Sequence, residues 1–460
     1  MIRVAAAVIA LTASTGCLIL PDARRDRATT TAPSLEFERA AGPVSDASRD
    51  ALLQRLEGRE GATDVLLKHL AYEQAVNDGS PLVLGNKLTL LQNGPDTYRA
   101  MFAAIRKARD HINLETYIFD DDEIGQQFSD ALLARQAAGV QVNVIYDSIG
   151  GLATPTEFFD RMRAGGIRVL EFNPANPLSG DKKPWRLNHR DHRRQLVIDG
   201  RIAFTGGINI SNTYSSAPRR QAPKQHKPEA GWRDTHIRIE GPVVAEFQKL
   251  FLDTWRRQKG EPLPVRNYFP ELKAVRSGDE SVRAIGSTPD DPHSLIYLTL
   301  LSAISHAEIN VHLTVAYFAP DPQLLKALTD AVQRGVEVEL VLPSYSDSWA
   351  IFHLGRSYYT RLLKGGVKIF ERRGSVMHAK TACIDGVWST VGSTNLDWRS
   401  FLHNDEINAV ILGREFAAQM EAMFAQDLKE SDAITLPQWQ RRSLMMRVKE
   451  RLARVGAYWL

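Results

Sequence analysis

Apolar positions along this chain fall into short runs and helical stripes, and their order repeats. A helical stripe over 98–109 leads to an apolar run at 112–119, expected as a buried strand. A second helix (124–138), Gly139 and another run (140–146) follow. The later part repeats the series. A helix ends near Ala307, a run spans 309–318, a helix 322–334, then come Gly335 and a run over 336–342. In each part an aromatic-led helix closes on a glycine pair and a strand follows. These are Phe158-Phe159 to Gly165-Gly166, and Tyr358-Tyr359 to Gly365-Gly366. Strands alternating with helices of this length predict an α/β fold with largely parallel, doubly covered sheets. The long period indicates a duplicated domain rather than a solenoid. The halves are expected at 81–265 and 266–460.

The chain ends carry different patterns. Behind Arg3, an apolar run (4–13) and the small residues Ser14, Thr15 and Gly16 precede Cys17. Residues 1–17 resemble a bacterial lipoprotein signal, with Cys17 the acylated residue, although Ser14 stands where a large aliphatic is usual. The run is short of the roughly 20 apolar residues needed to span a bilayer. Residues 18–80 read as a flexible tether with a short helical segment, and the compact fold is expected from about Leu82. At the other end, Leu444, Val448, Leu452, Val455 and Trp459 form one stripe of a basic amphipathic segment. Either the stripe packs on the second half, the simpler expectation, or the helix lies on anionic lipid.

Composition narrows the class. Hydrophobic content of 43% and charged content of 24% are those of a globular chain, and 460 residues are too many for one ordinary core. A net charge of +3 is too small to support wholesale nucleic-acid binding, and no nucleic-acid partner is expected. Two cysteines, Cys17 and Cys383, make no disulfide framework.

The chemistry lies in a pattern written twice. One copy is His192-Arg193-Arg194, Asp199, Gly206-Gly207-Ile208-Asn209. The other is His378-Ala379-Lys380, Asp385, Gly392-Ser393-Thr394-Asn395. His to Asp is seven positions in both, Asp to Gly seven, and Gly to Asn three. Lysine and arginine do not ligate metals, so neither a metal site nor a cofactor is expected. No serine or cysteine repeats in a nucleophile frame. Two histidines with two cations and two amides fit a phosphodiester anion. Arg194, Lys380, Asn209, Asn395 and Ser393 would hold its oxygens. One imidazole would attack phosphorus, and the other would protonate the leaving oxygen. Asp234 and Glu406, each opening the strand after its own motif, are candidate acceptors for the far ring nitrogens. Asp199 and Asp385 are candidate catalytic residues, although each precedes a glycine and fits a turn equally well. Insertions at 173–188 and 213–231 flank the first motif and are expected to rim the site.

The pattern resembles the phospholipase D superfamily, with its His-x-Lys-x4-Asp signature and Gly-Gly/Ser-x-Asn element, over about residues 80–460. Within it the chain is most similar to bacterial cardiolipin synthases. Glu115 through Asp122, Gly392 through Ser400, Asn404-Asp405-Glu406 and Trp232-Arg233-Asp234 carry that likeness. The resemblance implies two α/β halves, with mixed or parallel sheets, around one pseudo-twofold active site. It also implies transfer of a phosphatidyl group to phosphatidylglycerol at a membrane surface, from phosphatidylglycerol or phosphatidylethanolamine. A hydrolase of phosphodiesters is the main alternative, and a non-catalytic lipid-binding protein a further one. The resemblance favours His192 as nucleophile and His378 as acid and base. It is broken at Arg194, where the family has lysine: arginine either substitutes with altered rate or leaves a half-disabled site.

Overall fold

The computed structural model describes residues 20, 36–39, 42–49, 63–77, 80–174, 188–218, 231–271, 280–291 and 294–455. The signal-like segment with Cys17, most of both insertions, and Trp459 lie outside these residues. Among the described residues, no helix is long and apolar enough to cross a membrane.

Both halves use one strand order. In the first, Arg168–Phe172, Gln141–Asp147 and His111–Thr116 run parallel. Gln195–Ile198, Ile202–Gly206, Thr235–Glu240 and Val83–Gln92 then continue antiparallel. In the second, Lys368–Arg372, Glu337–Pro343 and Asn310–Val315 are parallel. Lys380–Ile384, Trp388–Gly392, Asn404–Leu412 and Glu280–Ser287 follow antiparallel. The expected runs are therefore strands, but the sheets are mixed rather than largely parallel. The repeated helix–strand units supply only the three parallel strands among these seven in each half. The motif strands are joined by tight hairpins, which can connect only antiparallel neighbours. Val83–Gln92 also pairs with Glu280–Ser287, so the two sheets are continuous. Helices such as Glu123–Ala137 and Pro322–Gln333 cover the parallel strands. Between the halves, Val197, Ile237 and Ile239 of the first pack in one buried cluster with Val391, Ile407 and Ile411 of the second. The motif strands of both halves are thereby pressed together.

The hairpins explain the motif aspartates. Asp199-Gly200 and Asp385-Gly386 both have positive φ (53° and 61°, 56° and 61°). Arg201 N bonds Ile198 O and Val387 N bonds Ile384 O, which closes type I′ turns. The Asp199 carboxylate accepts the amides of Arg109, Asp110 and His111. That of Asp385 accepts those of Glu308, Ile309 and Asn310, and meets His69 Nε2 at 2.8 Å. Each aspartate pins the start of the neighbouring strand.

Two expectations about the chain ends are corrected. The short helical segment expected within 18–80 is present as the helix Thr63–Val76, but the compact fold does not begin at Leu82: Leu66 and Leu70 of this helix, with Leu20 and Phe37, lie in the core of the second half. Glu73 of this helix meets Arg283 and Trp388, and Glu38 pairs with Val83. The apolar spacing indicates a helix but not its docking, because these partners of Glu73 lie more than two hundred residues away. At the other end, the helix Leu444–Val455 turns its apolar stripe to solvent, not onto the second half. It is Ala453 and Glu450 that are buried.

Burial raises the Asp385 pKa, but His69 and the three amides outweigh it and hold the carboxyl below its ordinary value. Its contribution is therefore complete above the ordinary carboxylate pKa and is lost as pH falls through the lower folded value. Asp385→Ala should lose about 3 kcal/mol in urea unfolding at pH 7, with the deficit shrinking below about pH 4. Activity per folded molecule should stay within about threefold, whereas a catalytic carboxylate would cost far more.

Candidate active site

Backbone pairing between halves builds the site. Arg190 and Asp191, just before His192, run parallel to Asn404 and Asp405, and His192 N donates to Asp405 O at 2.9 Å. In the same way Arg233 bridges Met377, and His378 N donates to Arg233 O at 2.7 Å. Each histidine is thus set beside the residue that follows in the other half, which is Glu406 for His192 and Asp234 for His378. His192 Nδ1 lies 2.8 Å from Glu406 Oε1, and His378 Nδ1 lies 2.7 Å from Asp234 Oδ2. The acceptors are exchanged: each strand-opening carboxylate serves the histidine of the opposite half. A carboxylate accepts, so Nδ1 carries a proton and Nε2 of each ring is left for chemistry.

The cations take matching places. Arg194 Nη1 donates to His192 O at 2.6 Å, and Lys380 Nζ donates to His378 O at 2.5 Å. Arg194 reaches further, with Nη2 at 2.9 Å from His192 Nε2 and Nε at 2.9 Å from Asn209 Oδ1. All these side chains are buried. Asn395 Oδ1 is buried without a hydrogen-bond partner among the described residues, which leaves it open to a substrate donor.

The supports differ between copies. A Cβ at Gly207 would stand 2.2 Å from Asp234 Oδ1, so glycine is what admits that carboxylate. In the second copy Ser393 occupies this place, and its Oγ donates to Glu406, which also accepts from Asn404 Nδ2 at 3.1 Å. Tyr214 was not legible in the sequence. Its hydroxyl lies 3.2 Å from both Asn209 Nδ2 and His378 Nδ1. The residue five beyond the motif asparagine in the other copy is Ser400, whose Oγ bonds Asn395 N; comparing the copies therefore hides the tyrosine. Trp232 and Tyr117 set rings 5.2 Å from His378 and His192 respectively. Asp199 and Asp385 are not brought to the histidines: they sit in the hairpins at the far ends of the motif strands.

Protonation follows from burial and from crowding of cations. Burial, then Arg194, Lys380 and His378, hold the His192 pKa well below its ordinary value. Burial and Lys380 lower His378 to about 4 against the opposing pull of Asp234. Burial lowers Lys380 to about 7 and raises Glu406 to about 7. Burial also raises Asp234, but His378 and Lys380 outweigh it, and its net shift is downward. The free site therefore holds neutral imidazoles beside cations, and an entering anion is what would stabilise a protonated ring. Among the described residues no cluster of histidine, cysteine or carboxylate side chains suits a metal ion.

Comparison with known proteins agrees with this arrangement. The family model described as cardiolipin synthase, PLD-like domain, matches residues 101–222 and 300–428, more than half of the chain. The cardiolipin synthase of Geobacillus kaustophilus is 32% identical over 376 residues, covering 82% of this chain and 72% of its own. That of Alkalihalophilus pseudofirmus is 30% identical over 425 residues, covering 92% and 81%. That of Listeria monocytogenes is 33% identical over 391 residues, covering 84% and 78%. Among solved structures, phosphatidylserine synthase of Haemophilus influenzae superposes with a TM-score of 0.64 over 85% of this chain and 100% of its own. At 14% identity that likeness concerns the fold alone. Two motifs in one strand order, exchanged carboxylates and these matches place the chain in the cardiolipin synthase family of phospholipase D-like enzymes.

Proposed function

We propose that this chain makes cardiolipin by transferring a phosphatidyl group from one phospholipid to phosphatidylglycerol. The observation that carries the reading is the pair of exchanged histidine–carboxylate contacts, with a cation on each motif facing one buried centre.

His192 is the nucleophile in this reading. Its acceptor Glu406 is drawn toward neutrality and its neighbour Arg194 is cationic, so the ring stays neutral. His378 faces Asp234, the carboxyl held below its ordinary range, which is the better counter-ion for an imidazolium. The donor phosphate draws Arg194 from His192 Nε2 and is gripped by Arg194 and Lys380. The freed lone pair attacks phosphorus and forms a P–N bond. The P–O bond to the head-group alcohol breaks, and His378 gives that oxygen its proton. A terminal hydroxyl of phosphatidylglycerol then returns a proton to His378 and attacks phosphorus. The P–N bond breaks and cardiolipin leaves. Arg194, Lys380, Asn209 and Asn395 stabilise the charge in both transition states.

The equivalent placement of Arg194 and Lys380 on their motif carbonyls supports arginine as a working substitute. The lipid substrates put the reaction at a membrane surface. The signal-like residues 1–17 support an anchor at Cys17 facing the periplasm.

Purified protein with Cys17 replaced by serine should form cardiolipin from phosphatidylglycerol vesicles in excess EDTA, read by mass spectrometry, and His378→Ala should abolish it. Dependence on added phosphatidylethanolamine would name that lipid as donor, and phosphatidic acid without cardiolipin would indicate a hydrolase instead. Arg194→Lys should stay within about tenfold of the parent rate and Arg194→Ala lose about a hundredfold; a gain of several orders of magnitude with lysine would mean that arginine disables the site. Because the Lys380 ammonium ordinarily titrates near 10.5 and here near 7, its charge is lost as pH rises through that value. kcat/KM should therefore fall above about pH 7, and Lys380→Arg should move that limb upward, since a guanidinium stays protonated.

A further inference from the structure

We propose that the helix Leu444–Val455 is the element by which this enzyme lies on an anionic bilayer, with its apolar stripe inserted among the lipids. The inference rests on the reading of a lipid-transferring enzyme and adds the surface through which it meets its substrates.

The stripe is unpartnered and directional. Leu444 (77% exposed), Val448 (48%), Leu452 (61%) and Val455 (88%), with Met445 (65%), are all open to solvent. At about 100° per residue they fall within an arc of about 100° on one side of the helix. The opposite side is fixed to the protein. Ala453 packs with Ile351, Leu354 and Ala319. Glu450 pairs with Arg442 at 2.9 Å, and Arg454 Nε donates to Ser357 Oγ at 2.9 Å. The helix is held by its small and polar face while its large apolar side chains point away. Such an apolar stripe marks a contact surface.

Charge selects the occupant. Arg447 and Arg451 border the stripe on one side and Lys449 on the other. A second copy docking through the same face would bring these cations against their equivalents, which is repulsive. One helix of 12 residues also offers far less than the roughly 800 Å² per partner of a stable protein interface. Lipid acyl chains flanked by anionic head groups match both the stripe and its border.

The helix is linked to the reaction centre by packed side chains. Tyr317 packs on the cluster that holds Ala453, and its ring lies 6.2 Å from His378. Its hydroxyl donates to Asp347 at 2.7 Å, on the loop leading into the exposed Trp349. In the first half the loop after Gln141–Asp147 carries exposed Ile149 and Leu152.

The full chain with Cys17→Ser and Leu452→Cys carries one exposed thiol among the described residues, since Cys383 is buried. A bimane label at position 452 should shift to the blue with vesicles of phosphatidylcholine and phosphatidylglycerol, and hardly with phosphatidylcholine alone. The double variant Val448→Asp/Leu452→Asp should lose at least tenfold in vesicle co-sedimentation and in vesicle turnover. Turnover of a short-chain phosphatidylglycerol below its micelle concentration should stay within twofold. Leu444→Ser, a milder exposed change, should weaken co-sedimentation about threefold. A label unmoved by anionic vesicles, or undiminished co-sedimentation of the double variant, would overturn the proposal. So would a label shift that depends on protein concentration without lipid and tracks dimer formation in sedimentation. If the parent binds anionic vesicles and shifts the label but turns over no lipid, the docking surface stands and the catalytic reading falls.

Discussion

The exchange of carboxylates between halves is the constraint on which the site depends. A histidine held at neutral pH for attack or proton transfer needs an acceptor on Nδ1, and here the first half supplies that acceptor only to the second, and the second only to the first. The exchange is enforced by backbone bonds, since His192 N and His378 N each bond the residue that precedes the opposite carboxylate. A shift of one residue in either pairing would turn the carboxylate to the other face of its strand. Arg193 secures the same seam. Its buried guanidinium donates to Glu406 O, Thr254 Oγ1 and Ser287 O, tying the first motif to the second half and to the strand that joins the sheets.

Within this frame the two copies have diverged, and the divergence sorts the chemistry. Asp234 is the shorter acid, fits against Gly207, and stays strongly anionic beside His378. Glu406 is the longer acid, is held by Ser393 and Asn404, and is drawn toward neutrality beside His192. A symmetric site would give both imidazoles the same proton affinity and no division between nucleophile and acid. Two unequal carboxyls would supply the division proposed above without moving either ring. In the proposed reading with His192 as nucleophile, Arg194 adds to it by holding a cation 2.9 Å from that ring's Nε2.

The sequence revealed the repeated elements because the inner parallel strands, such as His111–Thr116 and Gln141–Asp147, are buried on both faces and the covering helices have one apolar side, which local patterning records. It revealed the motif through its spacing, but not what the spacing meant. Seven positions from histidine to aspartate are the length of one strand, so His192 and Asp199, or His378 and Asp385, lie at opposite ends of it. The histidine end carries chemistry, and the aspartate end carries a hairpin. Exchange of Asp234 and Glu406 was not legible, because either partner is compatible with a strand-opening position. Nor was the docking of the helical segment Thr63–Val76 into the second half, because its contacts with Asp385, Arg283 and Trp388 are all distant in the chain.

That separation of strand ends also orients the molecule. At one end the hairpins of Asp199 and Asp385 spend their carboxylates on backbone amides, so this end is given to stability. At the other lie exposed Ile149, Leu152 and Trp349, near loops tied to the motif histidines' neighbourhood by Arg190 on Ser148 and by Tyr317, which stands between His378 and Asp347. A diacyl lipid cannot leave the bilayer wholly to react, since each methylene withdrawn into water costs about 0.8 kcal/mol. The phosphate must therefore be lifted by no more than the depth of its head group. An enzyme for such a substrate needs its nucleophile close to an apolar rim, and a back that can be rigid and polar. Placing both histidines at the same ends of their strands satisfies this once for both halves, because the pairing that exchanges the carboxylates also brings the two reactive ends together.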